Sequence, residues 1–226
     1  MSSVIHALEV VHVEPLAPQI IQLLLKPEQP IDYHSGQYVM LGFNAEELKP
    51  FSIASAPRED GLIECHIRNQ ADSEWMQALF SVKQGDTLVM EEPKAQMQLQ
   101  TEHKSIIFVA GGTGFAPMKA LLETLLKQQT NTPIHFYWGA RSVEDLYQHS
   151  DLLSLAKKYP NIRYTPVISD DAANWKGLTG LVHEQVLKDY PDLTEHTLYM
   201  CGPWPMVQQA KQDFFKAGLS ESDCIC

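Results

Sequence analysis

The stretch SIIFVAGGTGFAP, residues 105–117, decides the fold of the second half of the chain. Its first part, Ser105–Ala110, is apolar on both faces of a strand, as a strand covered by helices on either side must be. Gly111, Gly112 and Gly114 follow, and a helical stripe of apolar residues begins soon afterwards. That stripe comprises Met118, Leu121, Leu122, Leu125 and Leu126. The stretch therefore predicts a strand, a tight turn and a helix.

The same alternation of strand and helix continues through the rest of the chain. The predicted strands are Ile134–Trp138, Ile162–Ile168 and Thr197–Cys201. The predicted helices are Asp151–Lys158, Leu181–Lys188 and Pro205–Ala217. A regular succession of this kind is typical of an open parallel α/β sheet.

The residues before this region predict a different architecture. Short apolar runs, broken by prolines and glycines, favour an antiparallel sandwich or barrel. These runs are Val4–Val13, Ile20–Leu25, Gln37–Phe43, Leu62–Ile67 and Thr87–Met90, with one helical segment at Ser73–Val82. The pattern of apolar residues changes in the polar stretch Gln98–Lys104. We therefore expect a β domain at residues 1–100 and an α/β domain at residues 101–226.

The composition argues against several classes of function. The 226 residues include 17 Lys and Arg against 28 Asp and Glu, and this net charge of −11 opposes binding to nucleic acid or to an anionic membrane. No apolar run approaches the roughly 20 residues that span a bilayer, and Met1–His6 lacks the pattern of a secretion signal. The four cysteines are too few and too unevenly spaced for a disulfide framework. We expect a cytoplasmic protein with reduced thiols.

Metal and hydrolase motifs are absent from the sequence. The nine histidines are scattered without the spacing of a zinc site, and the cysteines lack the tight run that iron–sulfur clusters need. This argues against an oxygenase reductase with its own ferredoxin module. No Gly-x-Ser-x-Gly elbow is present either, so a serine hydrolase is disfavoured. We expect no metal site.

The glycine turn at Gly111–Gly114 is the first candidate binding segment. Glycines let backbone N–H groups approach a phosphate closely, and the start of a helix adds partial positive charge. Ligands bind at this end of such a sheet. The turn is not the G-x-G-x-x-G fingerprint, because Pro117 occupies its last position, and no P-loop lysine follows. A phosphate-binding turn is favoured, and a tight turn without a ligand is the alternative.

A second candidate, Cys201–Met206 (CGPWPM), follows another strand of the same predicted sheet. Two turns at one sheet edge converge on one crevice, which is a stronger signal than either turn alone. Cys201 could lie against a flat ring as a small, polarizable group, or it could be a buried cysteine at a strand end. Pro203 and Pro205 are also residues that favour the start of a helix.

The third candidate, Lys49–Pro57 (KPFSIASAP), lies in the β domain. It combines a cation, an aromatic ring and two hydroxyl groups, which could hold an anionic ligand that carries a ring. A strand with serines on its solvent face would look the same, and for this segment alone the plain strand is favoured over a ligand site.

In this order and spacing, the three segments resemble the ferredoxin-NADP reductase superfamily, and within it the small NAD(P)H:flavin oxidoreductases, or flavin reductases. The family pattern is Arg-x-Tyr/Phe-Ser/Thr, then Gly-Gly-Thr/Ser-Gly-x-x-Pro, then Cys-Gly-Pro-x-x-Met. Here it corresponds to Lys49–Ser52, Gly111–Pro117 and Cys201–Met206, and Tyr137–Arg141 with Leu146–Tyr147 also matches the flavin-reductase branch. The resemblance covers essentially the whole chain. It implies an N-terminal antiparallel flavin-binding β-barrel followed by an open parallel α/β sheet that binds NAD(P).

The resemblance implies roles for the flavin-binding residues. The hydroxyl of Ser52 would hydrogen-bond near flavin N5, the atom that accepts hydride. Pro50 and Phe51 would supply backbone and packing around the isoalloxazine ring. The strand that contains His66 and Ile67 would flank that ring.

The resemblance also implies roles on the nucleotide side. Gly111–Gly114 would approach the phosphates, with Thr113 near the place where flavin and nicotinamide meet. Cys201 would lie beside the nicotinamide, in a pocket shaped by Gly202, Pro203 and Met206. Ser52 and Cys201 are therefore the candidate catalytic residues. The protein would orient two rings whose own chemistry is hydride transfer.

Two departures from the family pattern affect these expectations. Lys49 replaces the usual arginine. Lysine lacks the planar guanidinium that binds phosphate through two hydrogen bonds. This difference fits a flavin that binds and dissociates as a substrate. Family members usually continue into a last strand, whereas this sequence ends at Asp223–Cys226, so such a strand is expected to be short or absent. We expect Cys224 and Cys226 to lie in a frayed tail or an edge strand, because a disulfide between them would be strained.

The choice of nucleotide depends on the end of the second strand of the sheet. An acid there selects NAD through a ribose hydroxyl, whereas an arginine accepts a 2′-phosphate. The chain offers Arg141, with Glu144 and Asp145 just beyond it. We expect use of both NADH and NADPH.

These features predict an oxidoreductase that passes hydride from NAD(P)H to FMN, riboflavin or FAD. Reduced flavin would then reach a downstream monooxygenase or ferric iron. An alternative is a reductase that keeps FAD bound and passes electrons to a protein partner. A second alternative, of another class, is a non-catalytic nucleotide-sensing scaffold on the same fold.

Overall fold

Six antiparallel strands form the first unit of this computed structural model, which describes residues 4–69, 73–100 and 104–226. The strands are β1 (Ile5–Ala17), β2 (Ile20–Pro27), β3 (Tyr38–Gly42), β4 (Leu48–Ser52), β5 (Ile63–Arg68) and β6 (Thr87–Glu91). Their order across the sheet is β4-β3-β6-β1-β2-β5. A bridge between Ile53 and Cys65 joins the two ends of the sheet, and the Ala54 N–H donates to the Glu64 carbonyl at 2.7 Å. The sheet therefore closes into a barrel.

The barrel core follows from the period-2 pattern of its strands. On β5, for example, Ile63, Cys65 and Ile67 all belong to the buried cluster inside the barrel. The helix α1 (Glu74–Phe80) adds Met76 and Leu79 to the same cluster. It begins where the Ser73 hydroxyl accepts a hydrogen bond from the Met76 N–H, as an N-cap does.

The second unit is a six-stranded parallel sheet. Its strands are β7 (Ser105–Gly111), β8 (Ile134–Ser142), β9 (Ile162–Asp171), β10 (Leu178–Thr179), β11 (His196–Cys201) and β12 (Cys224–Ile225). The helices are α2 (Phe115–Lys127), α3 (His149–Lys158), α4 (Val182–Asp189) and α5 (Trp204–Lys216). The strand order is β10-β9-β8-β7-β11-β12. The chain leaves β7 toward β8 and later returns to β11 on its other side, which creates a topological switch point between β7 and β11.

The chain divides into these two units in an uneven way. The first comprises the residues up to Leu99 together with Lys119–Gln128, which include the C-terminal part of α2. The second comprises Gln100–Met118 and Gln129–Cys226. Within the segment where the sequence places a domain boundary, residues 101–103 lie outside the described residues. Residues 1–3, which enter the expectation about a secretion signal, lie outside them as well.

The expected fold class, an antiparallel barrel followed by a parallel α/β sheet, is confirmed. The strand interpretation of Lys49–Pro57 holds for β4, although proline at Pro50 lowers the strand signal. The short edge strand expected near the end of the sequence is β12. Only β10 was not expected as a strand, because its two residues are too few to show any periodicity. Cys224 lies in β12, an edge strand parallel to β11, and the four cysteines are free.

The described residues contain neither a membrane-spanning helix nor a metal-binding cluster. No helix in residues 4–69, 73–100 and 104–226 combines the length and the apolar character needed to cross a bilayer. In the same part of the chain, no group of three or more His, Cys, Asp and Glu residues is arranged to hold a metal ion.

A buried histidine makes the stability of the second unit depend on pH. His135 on β8 is 3% exposed, and its ring nitrogens lie 3.1 Å from the Tyr190 hydroxyl and 2.7 Å from the Thr165 hydroxyl. Burial, helped by the charge of Arg163, lowers the pKa of His135 from 6.5 to about 4. Between these two values the unfolded chain takes up a proton that the folded chain does not. The contribution of His135 to stability is therefore complete above pH 6.5 and is lost as the pH falls toward 4.

We expect this histidine to lower the free energy of unfolding by about 2 kcal/mol between pH 7.5 and pH 5. His135→Gln should reduce the fall, because a neutral amide has no proton to gain, although it should also lower stability at pH 7.5. Urea unfolding at the two pH values measures both effects. His34→Gln, at an exposed position, is the control and should keep the wild-type pH dependence. An equal fall in His135→Gln and wild type would contradict this assignment.

Candidate functional site

The glycine turn lies at the carboxyl end of β7, beside the switch point. Gly111 ends the strand, a 3₁₀ turn covers Gly112–Gly114, and α2 begins at Phe115. Gly112 has a φ of +54°, in the left-handed region that favours glycine. The start of α2 follows at once, so its N-terminal N–H groups and the positive end of its dipole lie at this edge of the sheet. The turn thus has the geometry that an anionic group requires.

Packing within the second unit requires glycine at positions 111, 114 and 202. A Cβ at Gly114 would overlap the carbonyl group of Cys201, and a Cβ at Gly111 would lie 2.6 Å from the Met206 sulfur. A Cβ at Gly202 would lie 2.6 Å from the Met206 methyl group. The structure therefore brings the Gly111–Gly114 turn and the Cys201–Met206 segment into direct contact.

Cys201 ends β11 and is partly exposed. Pro203, which caps the start of α5, is exposed, and Gly202 and Met206 are partly exposed. Burial raises the pKa of the Cys201 thiol to about 11, so it is uncharged at neutral pH. A neutral thiol can pack against a ring but is a poor nucleophile. The position suits the contact with a flat ring that the sequence suggests.

Two buried aromatic residues support the glycine turn. The Phe115 and Trp138 rings stack with centroids 4.0 Å apart and an angle of 10° between their planes. The Trp138 indole N–H donates to the Gly112 carbonyl at 2.9 Å. The Gly112 carbonyl oxygen therefore already accepts a hydrogen bond from the protein. Thr113 is partly exposed, whereas Pro117, in the first turn of α2, is buried and tolerated there because its missing N–H would have no partner.

Arg141 lies near the carboxyl end of β8, next to the strand that carries the glycine turn. Gly139 pairs with Gly111, so Arg141 is two residues beyond that pair. The Arg141 Nε lies 3.2 Å from an oxygen of Asp170 on β9, and the two side chains are 81% and 58% exposed. The sequence predicts Arg141 at this position but not its partner.

The barrel motif Lys49–Ser52 occupies most of β4 and pairs with β3, where Ser52 lies opposite Tyr38. Strand alternation places the side chains of Lys49 and Phe51 on one side and those of Pro50 and Ser52 on the other. Ser52 is partly exposed. Within the described part of the chain, no group hydrogen-bonds to its hydroxyl, which leaves that hydroxyl available to a ligand.

Lys49 and Phe51 both contact Trp75 of α1. The Lys49 ammonium lies 4.4 Å from the centroid of the Trp75 ring and 3.9 Å from a Glu47 oxygen. The Phe51 ring stacks on Trp75 at 6.2 Å and packs against the barrel core. The cation of the motif is therefore already held by an aromatic face and a carboxylate.

The side chains of His66 and Ile67 on β5 are both buried. Ile67 is part of the barrel core and is 1% exposed. The His66 Nε2 lies 2.8 Å from a Glu64 oxygen, so this nitrogen carries the proton and donates it. Burial lowers the pKa of His66, although the Glu64 carboxylate opposes this effect. Any contact of this strand with a flavin would therefore come mainly through its backbone.

A buried carboxylate that the sequence interpretation missed organises the segment after Ser52. Glu64 is 3% exposed and accepts hydrogen bonds from Gln22 at 2.9 Å and from Lys119 at 3.2 Å. Burial raises the pKa of Glu64, but the His66 hydrogen bond and the Lys119 charge outweigh that effect and hold it at about 2. Glu64 is therefore ionised at neutral pH. A charged residue inside the apolar run IECHIR was the signal that could have revealed it.

The backbone at Ala54–Ala56 is fixed from both sides by this network. The Lys119 ammonium donates to the Ala54 carbonyl at 2.9 Å, and the Ala56 N–H donates to a Glu123 oxygen at 2.9 Å. The Tyr33 hydroxyl donates to the Ala56 carbonyl at 3.0 Å. These bonds hold in place the chain segment that directly follows Ser52.

Comparison with known proteins identifies the family. The model of the oxidoreductase FAD-binding domain matches residues 11–99, and that of the oxidoreductase NAD-binding domain matches residues 108–212. The NAD(P)H-flavin reductase of Vibrio harveyi is 32% identical over 218 residues, a match that covers 93% of this chain and 92% of the relative. The chain therefore belongs to the NAD(P)H-flavin reductase family.

Two further similarities concern a sequence relative and the fold. The CDP-6-deoxy-L-threo-D-glycero-4-hexulose-3-dehydrase reductase of Yersinia pestis is 38% identical over 205 residues, which are 90% of this chain. That match spans only 61% of the relative's length. The fold is that of a ferredoxin NADP+ reductase from Neisseria gonorrhoeae, with a TM-score of 0.81, 22% identity, and coverage of 97% of this chain and 94% of that chain. The expected family and its flavin and nicotinamide ligands are confirmed.

Proposed function

We propose that this protein transfers hydride from NADH or NADPH to a flavin and releases the reduced flavin. One hydride moves from the nicotinamide to flavin N5 and one proton comes from solvent, which yields NAD(P)⁺ and dihydroflavin. The observation that carries the proposal is the contact between the Gly111–Gly114 turn and the Cys201–Met206 segment at the switch point of the parallel sheet. This edge offers backbone N–H groups for phosphates and an uncharged thiol for a ring.

The residues of the second unit fit a nicotinamide nucleotide. Glycines leave three of the four turn positions without a side chain, and the Phe115–Trp138 stack fixes the backbone of the turn. Arg141 stands about 6.6 Å further along the neighbouring strand, at two residues of about 3.3 Å each. A phosphate group at the turn and a ribose near Arg141 would together orient the nucleotide, and orientation is what the protein supplies to a hydride transfer.

The residues of the first unit fit a flavin. The Ser52 hydroxyl has no partner in the described part of the chain and would donate to flavin N5. The rigid backbone at Ala54–Ala56 holds this part of the motif in place, because three side chains bind it. When bound, the flavin supplies the hydride-accepting ring, and the protein positions it.

The environment of Lys49 supports a flavin that dissociates. Its ammonium lies over Trp75 and near Glu47, so a flavin phosphate would have to compete with both. We expect purified protein to lose its flavin on prolonged dialysis. We also expect Lys49→Ala to change KM for FMN by less than about threefold, because this partly exposed charge already contacts Trp75 and Glu47.

Riboflavin, which lacks the phosphate, is the matched control ligand for this prediction. Lys49→Ala should affect KM for riboflavin and KM for FMN to the same small extent. Stoichiometric yellow flavin after dialysis would contradict a flavin that dissociates. A tenfold rise of KM for FMN alone would mean that Lys49 binds the phosphate.

A second candidate function is a reductase that keeps its flavin and passes electrons to a protein partner. It is favoured by the 38% identity to the Yersinia pestis dehydrase reductase. Initial-rate kinetics separate the two functions. A flavin substrate gives intersecting, sequential patterns when NADH and FMN are varied, whereas a permanently bound flavin generally gives the parallel lines of a ping-pong mechanism.

We also propose where the released dihydroflavin goes and in which compartment the protein works. Released dihydroflavin would bind to a flavin-dependent monooxygenase as its substrate, or it would pass its two electrons to two ferric ions. The four free thiols fit a reducing compartment, and we propose the cytoplasm.

A further inference from the structure

The exposed ion pair between Arg141 and Asp170 owes its geometry to an irregularity in the sheet. Ala140 pairs with Ile168 and Ser142 pairs with Asp171, so Arg141 alone faces two residues of β9. This β-bulge brings Asp170 opposite Arg141. Bulges of this kind redirect side chains and are frequent beside binding sites. The pair contributes little to stability, because both side chains are largely exposed.

The pair lies where side chains would contact the ribose of a bound nucleotide. It follows the second strand of the sheet, one strand away from the glycine turn. An acid near this point accepts hydrogen bonds from ribose hydroxyl groups, whereas an arginine binds a 2′-phosphate. Here the acid comes from the neighbouring strand β9 and contacts the arginine itself.

We propose that Asp170 sets the balance between NADH and NADPH, an inference that rests on the proposed function. Only the Nε side of the Arg141 guanidinium contacts Asp170, so its terminal N–H groups can still face a 2′-phosphate. The Asp170 carboxylate offsets the charge of Arg141 and repels that phosphate, while it accepts a hydrogen bond from the free ribose hydroxyl of NADH. Arg141 therefore favours NADPH and Asp170 favours NADH, so that neither nucleotide is strongly preferred.

Asp170→Asn tests this role. We expect the ratio of kcat/KM for NADPH to that for NADH to rise about fivefold, the effect of losing one exposed charge interaction. Arg141→Ala should lower the same ratio, mainly through a higher KM for NADPH. In the Arg141→Ala background, Asp170→Asn should have a smaller effect, because the two residues act on the same phosphate. High salt should weaken the effect of Asp170→Asn, since exposed charges are screened.

Asp171→Asn is the matched control, because it removes the same charge at the next residue of β9. It should change the nucleotide ratio by less than about twofold. Equal effects of Asp170→Asn and Asp171→Asn, or no change in either, would overturn the inference. So would equal effects of Arg141→Ala on NADH and NADPH.

Binding of NAD⁺ and NADP⁺ by calorimetry repeats the test without turnover. If wild type binds both nucleotides but reduces no flavin, the proposed function fails, and the change in the ratio of dissociation constants still decides the role of Asp170. Wild type that binds neither nucleotide would overturn both.

Discussion

Ser52→Ala should lower kcat by about tenfold or more, equivalent to about 1.4 kcal/mol of transition-state stabilisation. The hydroxyl has no partner in the described part of the chain, so in the proposed reaction its hydrogen bond is free for flavin N5. A hydrogen bond that helps N5 to accept hydride acts in the transition state, so its loss should lower kcat more than it raises KM. Rates with saturating NADH and FMN measure this effect.

Two variants control for indirect effects of this substitution. Ser52→Thr keeps the hydroxyl and should retain most of the activity. Ser81→Ala removes an exposed hydroxyl that bonds only within its own helix end, and it should leave kcat unchanged. An unchanged kcat in Ser52→Ala would remove Ser52 from the mechanism.

Gly114→Ala should have the largest effect of any single methyl addition in the nucleotide-binding unit. The new Cβ would overlap the carbonyl carbon and oxygen of Cys201, which are backbone atoms that cannot rotate away. The end of β11 must then shift, and a displacement of about 1 Å at a reacting site costs on the order of a hundredfold in rate. We expect a loss of that order in kcat/KM for NADH. The free energy of unfolding should also fall, by about 1–3 kcal/mol.

Gly61→Ala is the control for glycine replacement as such. A Cβ at Gly61, in a barrel turn with a φ of +71°, meets no atom within 4 Å, so only backbone strain should result. Its activity should match wild type. Circular dichroism and urea unfolding show whether Gly114→Ala is folded. A folded Gly114→Ala with the wild-type KM for NADH would show that the contact with Cys201 does not shape the nucleotide site.

The regular parts of the fold could be predicted because their signals are local. The run SIIFVA indicated a strand covered on both faces, and Ser105–Gly111 is such a strand at the centre of its sheet. The helix after it begins at Phe115, close to the first residues of the apolar stripe. By contrast, β4 has Pro50 at its middle position, and its pairing with β3 cannot be read from its own five residues.

The candidate site likewise has features that the sequence predicts and features that it does not. Glycine turns can be found from sequence because the conformation and the close approach require the glycine itself, as at Gly114. The bond between Glu64 and Lys119 joins residues 55 positions apart, and the contact of Lys49 with Trp75 depends on where α1 packs. The bulge that turns Asp170 toward Arg141 depends on the register of two strands. Such contacts arise from tertiary packing, which no local pattern encodes.

Anaerobic mixing of a trace of protein with NADH and an excess of FMN tests the central claim most directly. The visible flavin absorbance should bleach until many equivalents of flavin per protein are reduced, faster than in a sample without protein. Bleaching that stops after one equivalent would mean that the flavin stays bound. No bleaching at all would contradict hydride transfer and favour a scaffold that only binds nucleotide.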